Sequence, residues 1–347
     1  MLGIDVSSEK LESALCMDQH TRPQWRREVP NSVAGVDELL ALTPASVPWV
    51  VEPTGRYSLL VVQRAQDAGR TVLLAPPRQA KLFLKSLQSR AKTDKLDGRG
   101  LALFGHSRPL PAYSVKSENV EKLDQLLSAR KLLSRSLASL RLQANSLPKA
   151  KEALGPAIEA LQAQVAQVDK QIAAVSTNPE EYPEFASTKR LLKVPGIGRV
   201  TAAALASRLT AKQFARPDQF VAYIGLDIGV RQSGKRTGYT GLTKQGDAEI
   251  RRLLFVCAKS VVNANDNPFK AQYLREKEKG LSPTAALCAV ARKLACVCWS
   301  IHKHGTDYDA ARVNTRPERK TGDDAGEPSN NNQRATTTRE AKTKTTK

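Results

Sequence analysis

The strongest constraint on the fold is the order of apolar runs in the first third of the chain. Short strand-like segments, Leu2–Val6, Val47–Val51 and Thr71–Ala75, are separated by stretches with helical spacing. One of these starts at Pro30-Asn31-Ser32 and continues through Val33, Val36, Leu39 and Leu40, and another covers Leu59 to Ala68. Apolar residues three and four apart line one face of a helix, and short β-rich runs bounded by turn residues read as strands. Alternating strands and helices predict an α/β domain whose sheet is covered on both faces. Ser7 and Ser8 followed by Leu15-Cys16-Met17 predict a second strand joined to the first by a turn.

The strands carry charges that a buried sheet does not want. Asp5 interrupts the first, and Glu52 ends the third before Pro53-Thr-Gly-Arg-Tyr57. A charged group in or at the rim of a buried sheet is costly unless it is paired or bound to metal. Further on, Lys92-Thr-Asp94-Lys-Leu-Asp97-Gly98 sets two more carboxylates three residues apart, opening an expected helix through Gly105. On a helix such residues share a face, about 5–6 Å apart at Cβ. Taken alone that pair fits a solvated helix face; with Asp5 and Glu52 it points to a metal cluster. Hard divalent ions bind through one or two carboxylates plus phosphate oxygens.

Net charge is +20 and the pI is about 9.9, which calls for a polyanionic partner. No run approaches the roughly 18 uninterrupted apolar residues of a membrane span, and no signal peptide opens the sequence. Nucleic acid is the expected partner, with no membrane. Cys16, Cys257, Cys288, Cys296 and Cys298 are odd in number and scattered through apolar segments, as reduced thiols of a cytoplasmic protein are. Cys296-Val-Cys298 lacks zinc-site spacing and reads as small buried side chains.

From Ser117 to Ile172, leucines and other aliphatics recur at three- and four-residue spacing with Lys and Arg between them. This predicts two long helices broken at Pro148 and at Gly155-Pro156, forming a coiled-coil connector or a bundle face. Asn178 to Pro183 reads as a linker. Leu192-Lys-Val-Pro-Gly196-Ile-Gly198-Arg199 looks like the turn of a helix-hairpin-helix, whose second helix offers backbone N–H groups to a phosphate. Next comes a glycine-rich basic loop holding Arg231, Gln232, Ser233, Lys235, Arg236 and Lys244. Bidentate Arg contacts suit such a loop to phosphates. A serine there is in itself more often a hydrogen-bonding loop residue than a nucleophile. Ile250–Asn263 and Pro283–Ile301 read as packing helices; Arg251, Arg252, Arg292 and Lys293 face either nucleic acid or solvent. Beyond His302 few large apolar side chains remain, and a disordered basic tail is expected.

Gly3-Ile-Asp-Val-Ser7, Glu52-Pro-Thr-Gly-Arg-Tyr57 and Lys92-Thr-Asp-Lys-Leu-Asp97, with the later Gln-Ser-Gly and Lys-Gln-Gly-Asp patterns, resemble the DEDD transposases of bacterial insertion sequences. The resemblance covers about residues 2 to 302. It implies a Holliday-junction-resolvase-like RNase H fold for residues 1–112 and a coiled coil over 113–178. It implies a helical, helix-hairpin-helix domain with the serine loop over 179–304, and a tail over 305–347. It implies that Asp5, Glu52, Asp94 and Asp97 hold Mg²⁺ (or Mn²⁺) and that Ser233 forms a covalent bond to DNA. Lys92, Arg56 and Tyr57 join the nucleic-acid contacts, the last two with local packing as the alternative. It further implies a guide (bridge) RNA that directs target choice, and a homodimer or homotetramer in which acids and serine from different domains meet. The expected place is the bacterial cytoplasm, at the nucleoid. Asp227-Ile-Gly-Val and Asp247 depart from the family pattern. Two rival readings are a nuclease that uses water, with Ser233 incidental, and a non-catalytic nucleic-acid binder.

Overall fold

The computed structural model describes residues 1–18, 22–53, 55–87, 97–113, 116–233, 236–264 and 267–313; at 56, 87 and 230–240 it describes the backbone alone. Asp94, Lys92, Lys235 and the tail beyond 313 lie outside the described residues. The chain divides into two compact units, Met1–Leu132 and Leu133–Lys347.

In the first unit β1 (Leu2–Val6), β2 (Lys10–Leu15) and β3 (Trp25–Pro30) form an antiparallel meander. Helix α1 (Val33–Leu42) then crosses over to β4 (Trp49–Val51), which lies parallel to β1, and α2 (Leu59–Asp67) crosses to β5 (Val72–Leu74), parallel to β4. The strand order is β3-β2-β1-β4-β5. Ser32 caps α1, its hydroxyl accepting from the Gly35 amide, as the Asn31-Ser32 start signal predicts. Strand alternation sends Leu2, Ile4, Val6, Leu11, Trp49 and Val51 to one face, against Val36, Leu39, Val61 and Val62 of α1 and α2. The opposite face meets α3 (Pro77–Leu87) and α4 (Gly98–Ser107), where Val50 packs with Ala80, Leu101 and Phe104. The sheet is covered on both faces, as the alternation predicts. Sequence reading missed β3 and α3: β3 is an edge strand written Trp-Arg-Arg-Glu-Val-Pro, too charged to read as a buried run.

Helix α4 rides unusually close to the sheet, and glycines make this possible. A Cβ built on Gly3 would lie 2.0 Å from the Gly98 carbonyl and 2.4 Å from the Ala102 nitrogen; one on Gly98 would lie 2.7 Å from the carbonyls of Gly3 and Glu12. Helix backbone therefore touches strand backbone. The expectation that Asp97 is itself helical needs correction; its sharing a face with Asp94 falls on a residue outside the described ones. Asp97 has extended backbone angles and caps α4, Oδ1 accepting from the Gly100 amide at 2.7 Å. A capping residue stands just outside the helical turn it opens.

The boundary between the units falls inside α5 (Glu118–Ser146), which is followed by a 3-10 turn at Pro148–Ala150 and α6 (Lys151–Thr177). Pro148 ends a helix as expected, whereas Pro156 sits in the second turn of α6 without breaking it. One backbone bond is lost there rather than the whole helix. The second unit continues with α7 (Ser187–Leu191), α8 (Arg199–Ala211), α9 (Pro217–Tyr223), β6 (Ile228–Ser233), β7 (Arg236–Leu242), α10 (Ala248–Val262), α11 (Pro268–Glu278) and α12 (Pro283–His304). Helix α12 is the hub, packing on α7 to α11 with Val290, Leu294, Cys298 and Ile301 buried. It is also long and apolar enough to cross a membrane, a property the search for uninterrupted apolar runs passed over because Arg292 and Lys293 punctuate it. Segment 305–313, assigned to the tail from its composition, packs instead: Val313 is buried, Tyr308 stacks on Phe269, and Asp307 pairs with Lys193 at 2.7 Å. The five cysteines are free thiols, and Cys16, Cys257 and Cys298 are buried, in keeping with a packing role.

Candidate active-site carboxylates and serine hairpin

In the first unit, the parallel register pairs Ile4 with Val51. Asp5 and Glu52 are the next residues on these two neighbouring strands. Both follow the alternation onto the α4 face, at the carboxyl ends where ligands collect in open α/β sheets. Both are half-buried. Burial pushes the Glu52 carboxyl above its ordinary value, the Asp5 charge raises it further, and Lys81 of α3 pulls it partly back. Two mutually repelling carboxylates suit a hard divalent ion, which needs only one or two of them beside water and phosphate oxygens. The donor set therefore fits Mg²⁺ in kind. Among the described residues no group of three acid, His or Cys side chains is close enough to hold an ion by itself.

Two side chains escaped the sequence reading. Glu12 is the cross-strand partner of Asp5 and shares its face; the Lys10-Leu-Glu12-Ser-Ala14 alternation was the available signal. Lys81 opposes Glu52 from α3, a helix announced by Pro76-Pro77 alone.

The raised Glu52 value has a consequence for stability. The folded protein holds this proton more tightly than the unfolded chain does, so stability is present below the ordinary glutamate value of 4.5 and is lost as pH rises through the higher folded one. Glu52→Gln carries no charge at any pH. We expect it to melt above wild type at neutral pH, with the difference closing at acid pH in a thermal-denaturation series. Added Mg²⁺ should raise the wild-type melting temperature and leave that of the variant unmoved.

Tyr57 is exposed beside the 3-10 turn Gly55–Ser58, and its carbonyl accepts from Asn31 at 3.0 Å; Arg56 lies in the same turn.

In the second unit, the Lys193–Gly198 turn links α7 to α8. Gly196 has φ +80°, and a Cβ there would lie 3.0 Å from the Cys257 carbonyl, so the turn seats against α10. Gly198 caps α8 without a side chain, leaving the first amides of the helix, with exposed Arg199, uncapped by any side chain.

The glycine-rich stretch expected to be a flexible loop is a β-hairpin. Strands β6 and β7 pair antiparallel, with an irregularity between Ile228 and Val230, and Ser233 faces Arg236 as the last pair; Arg231 and Gln232 pair with Gly238 and Thr237. Glycines spaced along a strand lower its apparent propensity, and this hides the hairpin in the sequence. Its base is fastened. Thr243 donates through its hydroxyl to the Asp227 carboxylate, and the Thr243 amide bonds the Asp227 carbonyl at 2.9 Å. Gly246 at φ +140° lets the chain pass the Tyr223 carbonyl, where a Cβ would come within 2.0 Å. Exposed Lys244 adopts a left-handed φ of 54°. Both departures from the family pattern thus have local roles. Asp227 closes the hairpin, and Asp247 caps α10 (from the Glu249 amide, 2.9 Å) while pairing with Arg208 at 2.8 Å.

Comparison with known proteins matches two separate segments of the chain. A DEDD transposase model of the IS110 group matches residues 2–147, and the model described as Transposase IS116/IS110/IS902 family matches 188–274. The pilin gene-inverting protein of Moraxella bovis is 26% identical over 318 residues, covering 89% of this chain and 97% of that protein. The transposase for insertion sequence element IS1328 of Yersinia enterocolitica is 32% identical over 127 residues, 35% of this chain and 37% of that protein. A putative transposase of Sinorhizobium fredii is 25% identical over 349 residues, covering 86% and 87%. The first matched segment contains Asp5, Glu52 and Asp97, and the second contains the β6–β7 hairpin with Ser233. The chain belongs to the IS110/IS116 family of insertion-sequence transposases, enzymes that cleave and rejoin DNA.

Proposed function

We propose that this transposase cuts DNA through a covalent phosphoserine on Ser233, assisted by a divalent ion held by Asp5, Glu52, Asp94 and Asp97, and that a bridge RNA encoded with it selects the target. The observation that carries the reading is the placement of Asp5 and Glu52 side by side at the ends of parallel strands, with Glu52 raised by burial and further by the charge of Asp5. The strand order β3-β2-β1-β4-β5 supports an RNase H-like assignment. A bound Mg²⁺ supplies charge neutralisation at the phosphate.

The chain's own groups do the remaining work. Asp97 is locked to α4 by its cap. The Ser233 hydroxyl attacks phosphorus, forming an O–P bond as one P–O bond to sugar breaks; the departing sugar oxygen gains a proton and the serine loses one. The phosphodiester energy is conserved in the seryl ester, so reversal by another strand's hydroxyl rejoins DNA without external energy. The hairpin-turn amides at the start of α8, with Arg199, bind a backbone phosphate in helix-hairpin-helix fashion. Lys244, Arg231 and Arg236 add phosphate contacts, and the exposed leucines of α5, Leu132 and Leu142, suit pairing with a second copy.

A reporter plasmid carrying this coding region with its native flanks tests the proposal. Wild type should recombine it, while Ser233→Ala and Asp94→Ala should give no product at equal protein level. Recombination by Ser233→Ala at the wild-type rate would leave the water-using nuclease chemistry in its place.

A further inference from the structure

Next to the carboxylates, on the same sheet face, lies a polar cleft of about 280 Å³ between the β2–β3 ribbon and the start of α4. Lys10, Glu12, Arg26, Glu28, Asp97 and Arg99 line it. Most of these charges are accounted for. Lys10 pairs with Glu28 at 2.6 Å and Asp97 spends one oxygen on its cap, while Glu12, opposite Asp5 across the strands, brings a further carboxylate to the cleft. Of the three arginines that line it, Arg27 follows the strand alternation onto the opposite sheet face; Arg26 and Arg99 are not accounted for. The Arg99 Nε is buried with no hydrogen-bond partner among the described residues. Arg26, exposed on edge strand β3, has no ion pair or side-chain hydrogen bond among them either. Both guanidiniums are near enough to the Cys16 thiol to oppose the upward push of burial on it. They come from different elements and both line the cleft.

Neither guanidinium forms an ion pair with the carboxylates that share the cleft, among the described residues, and a guanidinium matches phosphate oxygens two at a time. Building on the catalytic reading above, we propose that Arg26 and Arg99 grip a backbone phosphate of the DNA strand being cut, beside the scissile one. The cleft is then the track along which that strand leaves the carboxylates, and the pair fixes which phosphate stands over Asp5 and Glu52.

The test uses full-length protein, fluorescein-labelled DNA and the RNA of the same sequence, with anisotropy read across a KCl titration. Each lost phosphate contact lowers the slope of log affinity against log salt by about one. Arg26→Ala and Arg99→Ala should each lower the DNA slope by about one, and the double variant by about two. Arg26→Lys should restore most of it. Arg26 lies on an exposed edge, so it carries the test even if Arg99→Ala disturbs α4. DNA should also shield both arginines from phenylglyoxal. Unchanged DNA slopes, or a change confined to RNA, would overturn the proposal. Failure of the catalytic reading looks different: Asp5→Asn would still cut DNA while the arginine slopes fell.

Discussion

Asp5→Asn should cut DNA about 10³-fold more slowly than wild type while remaining at least as stable. The two halves of this expectation have one cause. Asp5 and Glu52 occupy neighbouring positions past the last β1–β4 register pair, and each makes the other's charge costly. In the working enzyme that cost is offset by a cation. Metal-centred stabilisation of phosphoryl transfer amounts to several kcal/mol, and about 4 kcal/mol corresponds to ~10³ in rate. Asparagine keeps the shape and removes the charge, so Glu52 loses the neighbour that raises it. Single-turnover cleavage and thermal melting on one preparation check both halves. A variant that is inactive because it has unfolded would show a lowered melting temperature, contrary to this account.

Gly3→Ala should be the most damaging single methyl group in the first unit. The new Cβ meets two backbone atoms, the Gly98 carbonyl at 2.0 Å and the Ala102 nitrogen at 2.4 Å. No flexible side chain is there to yield, so α4 must back away from β1. Overpacking a core costs about 1–3 kcal/mol when side chains absorb it; with backbone on both sides we expect about 3 kcal/mol or more, a large share of a domain's ~5–15 kcal/mol. The same displacement moves Asp97, so activity should fall even at temperatures where the variant is folded. Gly155→Ala is the control. It lies in α6 with no atom within 4 Å of the added carbon, and alanine there should stabilise by up to ~1 kcal/mol. Urea unfolding followed by circular dichroism separates the two.

Much of this architecture is written locally. The Val47–Glu52 run gave both a strand and its terminal acid, because an aliphatic run and the charge ending it are visible without knowing what the strand pairs with. Ser32, Gly196 and the leucine spacing of α5 were readable for the same reason. What was hidden depends on pairing. Glu12 matters only once the register sets it opposite Asp5, and Arg26 comes to share a cleft with Arg99 only through a strand too charged to announce itself. Spacing makes Asp97 look helical, although an aspartate followed by Gly-Arg-Gly fits a cap equally well; its bond to the Gly100 amide decides it. The serine hairpin reads as a loop because its glycines mask strand propensity, and its pairing is set by backbone register rather than by side-chain pattern.

The central claim is that Ser233 becomes joined to DNA. The direct measurement is to incubate wild-type protein with its own nucleic acid and Mg²⁺, denature, digest with nuclease and protease, and locate the nucleotide-bearing peptide by mass spectrometry. The account predicts a phosphodiester remnant on Ser233, absent from Asp5→Asn. Strand cutting with no adduct, or an adduct on any other residue, would contradict it.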